Sequence, residues 1–274
     1  MKEALKRLQN DGVHPIAGGT NLLPDIRAGL IRPRMVLDIG FIPELKTLAH
    51  RDDVIEVGCC QTMSEIAESL FFKEKIPLLA QSALSLGGPQ IRNRATLGGN
   101  IVSASPAADT VVSLVALGAE VKLQSVTGMR KMLLEDLLLG PGQTKIKKDE
   151  LLTRISFKMP GSDERGLFFK FGRRKAMAIS VVNLAIVVTV DQMTEKWRSA
   201  RIALGSVAPI VIRARKAEAL IPNQPIEERL LREVAQVAAS ECSPISDIRA
   251  SADYRRAMVE VLVEDCLTSL ARGR

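Results

Sequence analysis

Two segments constrain this chain more than any others. Residues 16–25, IAGGTNLLPD, and residues 90–109, QIRNRATLGGNIVSASPAAD, each place an adjacent glycine pair beside a Thr and an Asn. Neither segment follows a helix or strand period, so both are read as loops. A glycine pair lets the backbone turn through positive φ and approach a ligand, because no Cβ intervenes. Consecutive amide N–H groups exposed in this way converge on an anion, and Thr20, Thr96, Asn21 and Asn100 add side-chain donors. Two such loops on facing elements can grip a pyrophosphate from both sides without a P-loop lysine. The competing reading is a plain tight turn at each. Neither loop fits the helix-opening GxGxxG or the GxxxxGK[ST] phosphate loop.

The elements around these loops alternate. Residues 2–10 put Ala4, Leu5 and Leu8 on one helical face and stop at Asn10-Asp11-Gly12. Apolar runs at 13–17, 35–39 and 54–59 predict strands. Thr62-Met63-Ser64-Glu65 is a capping box that starts a helix to about Leu70, and a second helix covers 78–86. Asp109 either caps an apolar helix over 111–117 or serves a ligand. Residues 120–126 and 151–158 read as strands. After the polar break Gly161-Ser162-Asp163 the pattern changes. Residues 168–171, 180–190 and 197–205 predict a small antiparallel sheet, with Asp191-Gln192 beginning its turn, and helical patterns follow at 213–219, 228–240 and 252–271. This is an α/β domain followed by a separate α+β domain.

Composition narrows the partners. With 274 residues, 46% hydrophobic, the chain can bury a sizeable core. No run approaches the ~18 apolar residues of a membrane helix, and Lys2 and Glu3 open the first helix in place of an apolar signal core, so no membrane insertion and a cytoplasmic location are expected. Cys59, Cys60, Cys242 and Cys266 form no CxxC pair and are joined only by His14 and His50, which predicts neither a metal site nor a disulfide framework. The net charge of +7 favours an anionic partner: nucleic acid, a phosphorylated small molecule or an acidic protein. One Trp, one Tyr and seven Phe leave little for base stacking, and no nucleic-acid motif accompanies the basic clusters at 173–175 and 213–216, so nucleic acid is not expected. Residues 213–216 are read as a solvated face.

The segments AGGTNLLPDIR (17–27), PQIRNRATLGGNI (89–101) and SPAAD (105–109) resemble the FAD-binding middle subunit of the molybdenum hydroxylases, the xanthine dehydrogenase and carbon monoxide dehydrogenase group. The likeness continues through LGPGQT (139–144), FFKFGRRKAMAIS (168–180), ARIALGSVAPIVIRARKAE (200–218) and SDIRASADYRR (246–256). It implies an α+β protein with a two-lobed α/β FAD-binding domain of the PCMH type over 1–161, lobes about 1–52 and 53–161. A smaller α+β domain with an antiparallel sheet and helices follows over 162–274. Carried over by position, it assigns Ile16, Ala17, Gly18, Gly19, Thr20, Asn21 and Leu22, with Ala95, Thr96, Gly98, Gly99 and Asn100, to the pyrophosphate and adenosine of FAD. It lets Asp109 hydrogen-bond the cofactor, lines it with Val102 and Ala108, packs Ile146 near the ring system and sets Lys170 near the isoalloxazine. No residue is assigned a catalytic or metal-binding role.

Relatives with covalent FAD often carry a His in the first glycine loop. Thr20 and Asn21 stand there here, so non-covalent FAD is expected. Some relatives insert a cysteine-rich iron–sulfur segment that this sequence lacks. Family members usually begin with a short extended stretch before the first helix, whereas this sequence starts directly at that helix, so no contacts from such a stretch are expected. The resemblance implies an electron-transfer subunit that takes electrons from a small [2Fe-2S] subunit and passes them to NAD+ or another acceptor. A large subunit would hold molybdopterin, in a dimer of heterotrimers. Two other readings stand beside it: a self-contained flavin reductase like the UDP-N-acetylenolpyruvoylglucosamine reductases, and a flavin-free assembly subunit.

Overall fold

Residues 151–158 are buried at nearly every position, which suits a strand covered on both faces and flanked on both edges. In the computed structural model, which describes residues 1–194, 196–222 and 224–273, Leu151–Lys158 is the middle strand of a five-stranded sheet. The order is Leu48–Arg51, Val54–Gly58, Leu151–Lys158, Glu120–Gln124, Met129–Leu133, antiparallel throughout. The outer strand Met129–Leu133 has no buried residue, as an edge position allows. A parallel pair, Val13–Ile16 with Met35–Asp38, forms a separate small sheet and projects the first glycine loop from its end. Thr62 starts the helix Met63–Glu68 with a complete capping box. The helix expected to reach Leu70 breaks at Ser69 and resumes as Leu70–Lys75.

Ser180–Val190 explains the second part of the chain. Ten of its eleven residues are buried, although its sheet is antiparallel: Glu164–Gly172, Ser180–Val190, Trp197–Gly205, Ile212–Arg213. Both faces of this sheet are covered. Ala185, Val187 and Ala203 join the core of the first domain, with Val111, Val112 and Ala116. Leu184, Ile186 and Val188 pack instead with Val234, Val263 and Leu267 of the helices Glu228–Ser240 and Ala252–Ala271. A sheet covered on both faces reads as a continuous apolar run.

Several expectations change. Leu48–Arg51 was not foreseen as a strand, and it pairs with Val54–Gly58. Met129–Leu133, Leu134–Leu137 and Leu22–Arg27 were also unforeseen. The segment 90–109 is not a loop: Pro89–Arg92, Leu97–Val102 and the start of Asp109–Ala116 are helical. The cluster 213–216 is not a simple solvated face. Arg213 is nearly buried and grips both carboxylate oxygens of Glu218, at 2.5 and 2.6 Å, and Arg215 pairs with Glu135. Among the described residues no helix is long and apolar enough to cross a membrane.

Candidate functional site

The two glycine segments meet. A Cβ on Gly18 would stand 1.7 Å from the Arg94 carbonyl oxygen, so only glycine lets the first loop lie against the turn before the second segment. Asn21 Nδ2 donates to Ser103 Oγ at 2.8 Å, and Ser103 Oγ donates to the Gly99 carbonyl at 2.7 Å, which ties the far end of the loop to the helix Leu97–Val102. Ser103 was missed from the sequence, although it stands four residues after Gly99 within the segment singled out.

Only one of the four glycines uses positive φ, Gly19 at +74°. It turns the chain into the helix Leu22–Arg27, whose Leu23 N–H returns to the Gly19 carbonyl. Among the described residues no protein acceptor takes the backbone N–H groups of Gly18, Gly19, Thr20 or Asn21. Ile16 and Ala17 are half-buried just before them and Leu22 half-buried just after. This loop therefore leaves its backbone donors without protein acceptors, as an anion grip requires.

The second segment behaves otherwise. Thr96 is the N-cap of Leu97–Val102 and its Oγ1 accepts from Gly99 N at 3.1 Å. Gly98 N donates to the Cys59 carbonyl, Leu97 N to that of Gln61 and Asn100 N to that of Thr96. The amides of Gly98 and Gly99, expected to face a pyrophosphate, are thus already paired within the protein. Gly98 is glycine for a packing reason: a Cβ there would lie 2.6 Å from Cys59 Cβ and 2.8 Å from the Cys59 carbonyl. At Gly99 a Cβ would meet only Thr96 Oγ1, so this exposed glycine presents the open side of the helix. Ala95 is buried, its carbonyl taken by Met63 N, and Val102 is half exposed at the helix end.

Asn100 Oδ1 accepts from Thr110 Oγ1 at 2.6 Å, which carries the polar track to Asp109. Ala108 is the N-cap of Asp109–Ala116, and Asp109 does not cap it: its side chain makes no cap hydrogen bond. The reason is competition. Lys170 Nζ lies 2.5 Å from Asp109 Oδ2, while Ser180 Oγ and Asn183 Nδ2 donate to Oδ1 at 2.9 and 2.8 Å. Lys170 also donates to the Ser85 carbonyl. Burial pushes the Asp109 carboxyl above the ordinary carboxylate range, against the pull of Lys170, Asn183 and Ser180. Asp109 and Lys170 thus lock the first domain to the second sheet. Ser180 and Asn183 were missed; an Asn inside an eleven-residue apolar strand was the available signal. Ile146 is half-buried against the first core, and its neighbourhood is tied to the site by Gly142 N donating to the Ala104 carbonyl at 3.2 Å.

A pocket opens beside the first loop, lined by Ala17, Gly18 and Thr96 and by residues to which the sequence reading gave no binding role, among them Asp38, Lys46, Thr62 and Arg94. Lys46 and Arg94 make no ion pair among the described residues and line this pocket together with Gly18, Lys46 lying over the Phe41 ring. FAD brings two phosphates, and the residues fit it: free donors, unpaired cations and close backbone approach lie together.

Residues 1–159 match the family described as "FAD binding domain in molybdopterin dehydrogenase", and residues 167–270 match "CO dehydrogenase flavoprotein C-terminal domain". The chain is 31% identical over 274 residues to the glyceraldehyde dehydrogenase medium chain of Sulfolobus acidocaldarius, covering 99% of this chain and 95% of that one. It is 29% identical over 256 residues to the xanthine dehydrogenase FAD-binding subunit of Escherichia coli O157:H7, covering 92% and 87%. Among solved structures, carbon monoxide dehydrogenase from Hydrogenophaga pseudoflava superposes with a TM-score of 0.91 at 27% identity, covering 96% of this chain and 92% of that one. Quinoline 2-oxidoreductase from Pseudomonas putida gives 0.93 at 26%, covering 100% and 94%.

Proposed function

The chain belongs to the FAD-binding flavoprotein family of the molybdopterin dehydrogenases and is an oxidoreductase subunit, and on that premise we propose that it takes electrons from a [2Fe-2S] subunit and passes them to NAD+ or another acceptor. The observation that carries this reading is the row of unpaired amides from Gly18 to Asn21, held against the second glycine helix through Asn21, Ser103 and Gly99. FAD, when bound, supplies the conversion between one-electron and two-electron transfer. The protein's own residues do the holding. Gly18, Gly19 and Thr20 offer N–H donors to phosphate oxygens, Lys46 and Arg94 balance their charge, and Gly99 keeps one wall free of side chain. Asp109 and Lys170 fix the second sheet against that wall and are positioning residues in this reading.

Substrate oxidation then falls to a large molybdopterin subunit, with a small [2Fe-2S] subunit between, in a dimer of heterotrimers. The two relatives from Sulfolobus acidocaldarius and Escherichia coli are named as a medium chain and an FAD-binding subunit, which supports the division of labour. The domain boundary near Gly161 is part of the proposal, supported by a core of helices and sheet that begins after it. The self-contained reductase accounts for the first loop but not for the match over 167–270. The visible spectrum and flavin content of the purified chain test the reading. One FAD per chain is expected, released by acid or heat because no His stands in the first loop. No flavin binding after FAD is supplied would favour the assembly subunit, and flavin left on the denatured polypeptide would refute non-covalent binding.

A further inference from the structure

Directly behind the second glycine helix stand two adjacent cysteines that the electron-transfer reading does not use. The strand Val54–Gly58 ends at Gly58, where a Cβ would lie 2.3 Å from the Leu45 carbonyl oxygen, and Gln61 N closes a turn onto the Gly58 carbonyl. Within that turn Cys59 N donates to the Thr153 carbonyl and Cys60 N to that of Leu45, so each backbone is pinned separately. Side chains of neighbouring residues on a strand point to opposite faces. Here the turn swings both sulfurs to one side, 3.8 Å apart and sharing a hydrogen bond. Cys60 lines the pocket that also holds Gly18, Lys46 and Thr96, while Cys59 packs against Gly98 and accepts its N–H.

We propose that Cys59 and Cys60 form a dithiol site for trivalent, thiophilic arsenic, and that bridging the two sulfurs disturbs the helix carrying Gly98 and Gly99. A disulfide would need the sulfurs at ~2.05 Å, whereas one atom bonded to both can span a wider separation. With arsenous acid the step balances without redox. Two As–S bonds form, two As–OH bonds break, and the hydroxyls leave as two waters with the thiol protons. The shared hydrogen bond and, more weakly, Lys46 hold the Cys60 thiol below its ordinary value against burial and Asp38, while that hydrogen bond and burial push the Cys59 thiol up. Cys242 and Cys266 pack in the second core, apart from this pair, and burial pushes each up to about 12.

The effect on the cofactor rests on the proposed FAD site; the binding of arsenic does not. The test incubates the full chain with inorganic arsenite under native conditions, then measures intact mass, titratable thiols and retained FAD. One arsenic per chain and the loss of two titratable thiols are expected, both abolished in Cys60→Ser and in Cys60→Ala, with circular dichroism confirming the fold. An unchanged thiol count in the wild-type chain, or the same loss in the Cys60 variants, overturns the site. Arsenic bound with FAD retention unchanged overturns the coupling to the helix.

Discussion

Gly98 and Gly99 are neighbours in sequence, yet the structure gives them different reasons to be glycine, and substitution separates the two. In Gly98→Ala the new Cβ meets Cys59 Cβ at 2.6 Å, the Cys59 carbonyl at 2.8 Å and Leu152 Cδ2 at 2.9 Å. Two of these three atoms are pinned, since Cys59 is tied to Thr153 and to Gly98 itself. Overpacking of this kind costs about 1–3 kcal/mol, and loss of the hydrogen bond from Gly98 N to the Cys59 carbonyl adds about 1 kcal/mol. Alanine recovers about 1 kcal/mol of helix propensity. The net destabilisation approaches about 3 kcal/mol, or a fall in Tm of about 6–12 °C for a chain of this size. In Gly99→Val the Cβ meets only the Thr96 hydroxyl. A weakened cap costs about 1 kcal/mol and the gain in propensity offsets much of it, so the apoprotein should melt within about 3 °C of wild type while FAD is no longer retained. The assay is a thermal melt of flavin-stripped protein, followed by FAD titration at a temperature where each variant is folded. A Gly98→Ala apoprotein as stable as wild type would refute the packing argument, and tight FAD binding by Gly99→Val would remove the helix's open side from the cofactor site.

Lys170→Met should destabilise the chain by about 3–5 kcal/mol near neutral pH, because it leaves a buried carboxylate without its cation. Burial already holds the Asp109 carboxyl high, so the deficit should shrink as acid neutralises it, and a deficit equal at pH 5 and pH 8 would contradict the ion-pair account. At Asp247 the sign is opposite. Burial raises its carboxyl, but hydrogen bonds from the Arg249 backbone, the side chains of Arg249 and Arg255 and the Ala250 N–H outweigh it and hold the group well below the usual range. Its stabilisation is present above the ordinary carboxylate value and lost as pH falls through the depressed folded value. Asp247→Asn should therefore flatten the acid limb of the stability profile, measured by denaturant unfolding, and an unchanged slope would refute it.

What could be read from sequence follows burial. The strands Leu151–Lys158, Ser180–Val190 and Trp197–Gly205 and the helices Glu228–Ser240 and Ala252–Ala271 agree with the expected bounds, because a covered strand or an amphipathic helix must show its apolar pattern. Met129–Leu133 gave no such signal, since an edge strand with Arg130 and Lys131 at its centre buries nothing. The helix at Leu97–Val102 was hidden by its glycines, which disfavour helix on propensity; contact with Cys59 overrides that preference. The first loop was legible as a local cluster of donors because those donors lie within a few residues. The hydrogen-bond partners of Asp109 were not, because Lys170, Ser180 and Asn183 reach it from 61, 71 and 74 residues away.

The central claim is that this chain relays electrons and does not itself oxidise the substrate. The direct measurement mixes the purified, FAD-loaded chain with its molybdopterin and [2Fe-2S] partner subunits and follows bleaching of the flavin absorbance when substrate is added, with and without the [2Fe-2S] subunit. Bleaching is predicted only when both partners are present, with no turnover of substrate by the chain alone. Flavin reduced by substrate in the absence of the [2Fe-2S] subunit would contradict the relay and make the self-contained reductase the leading account.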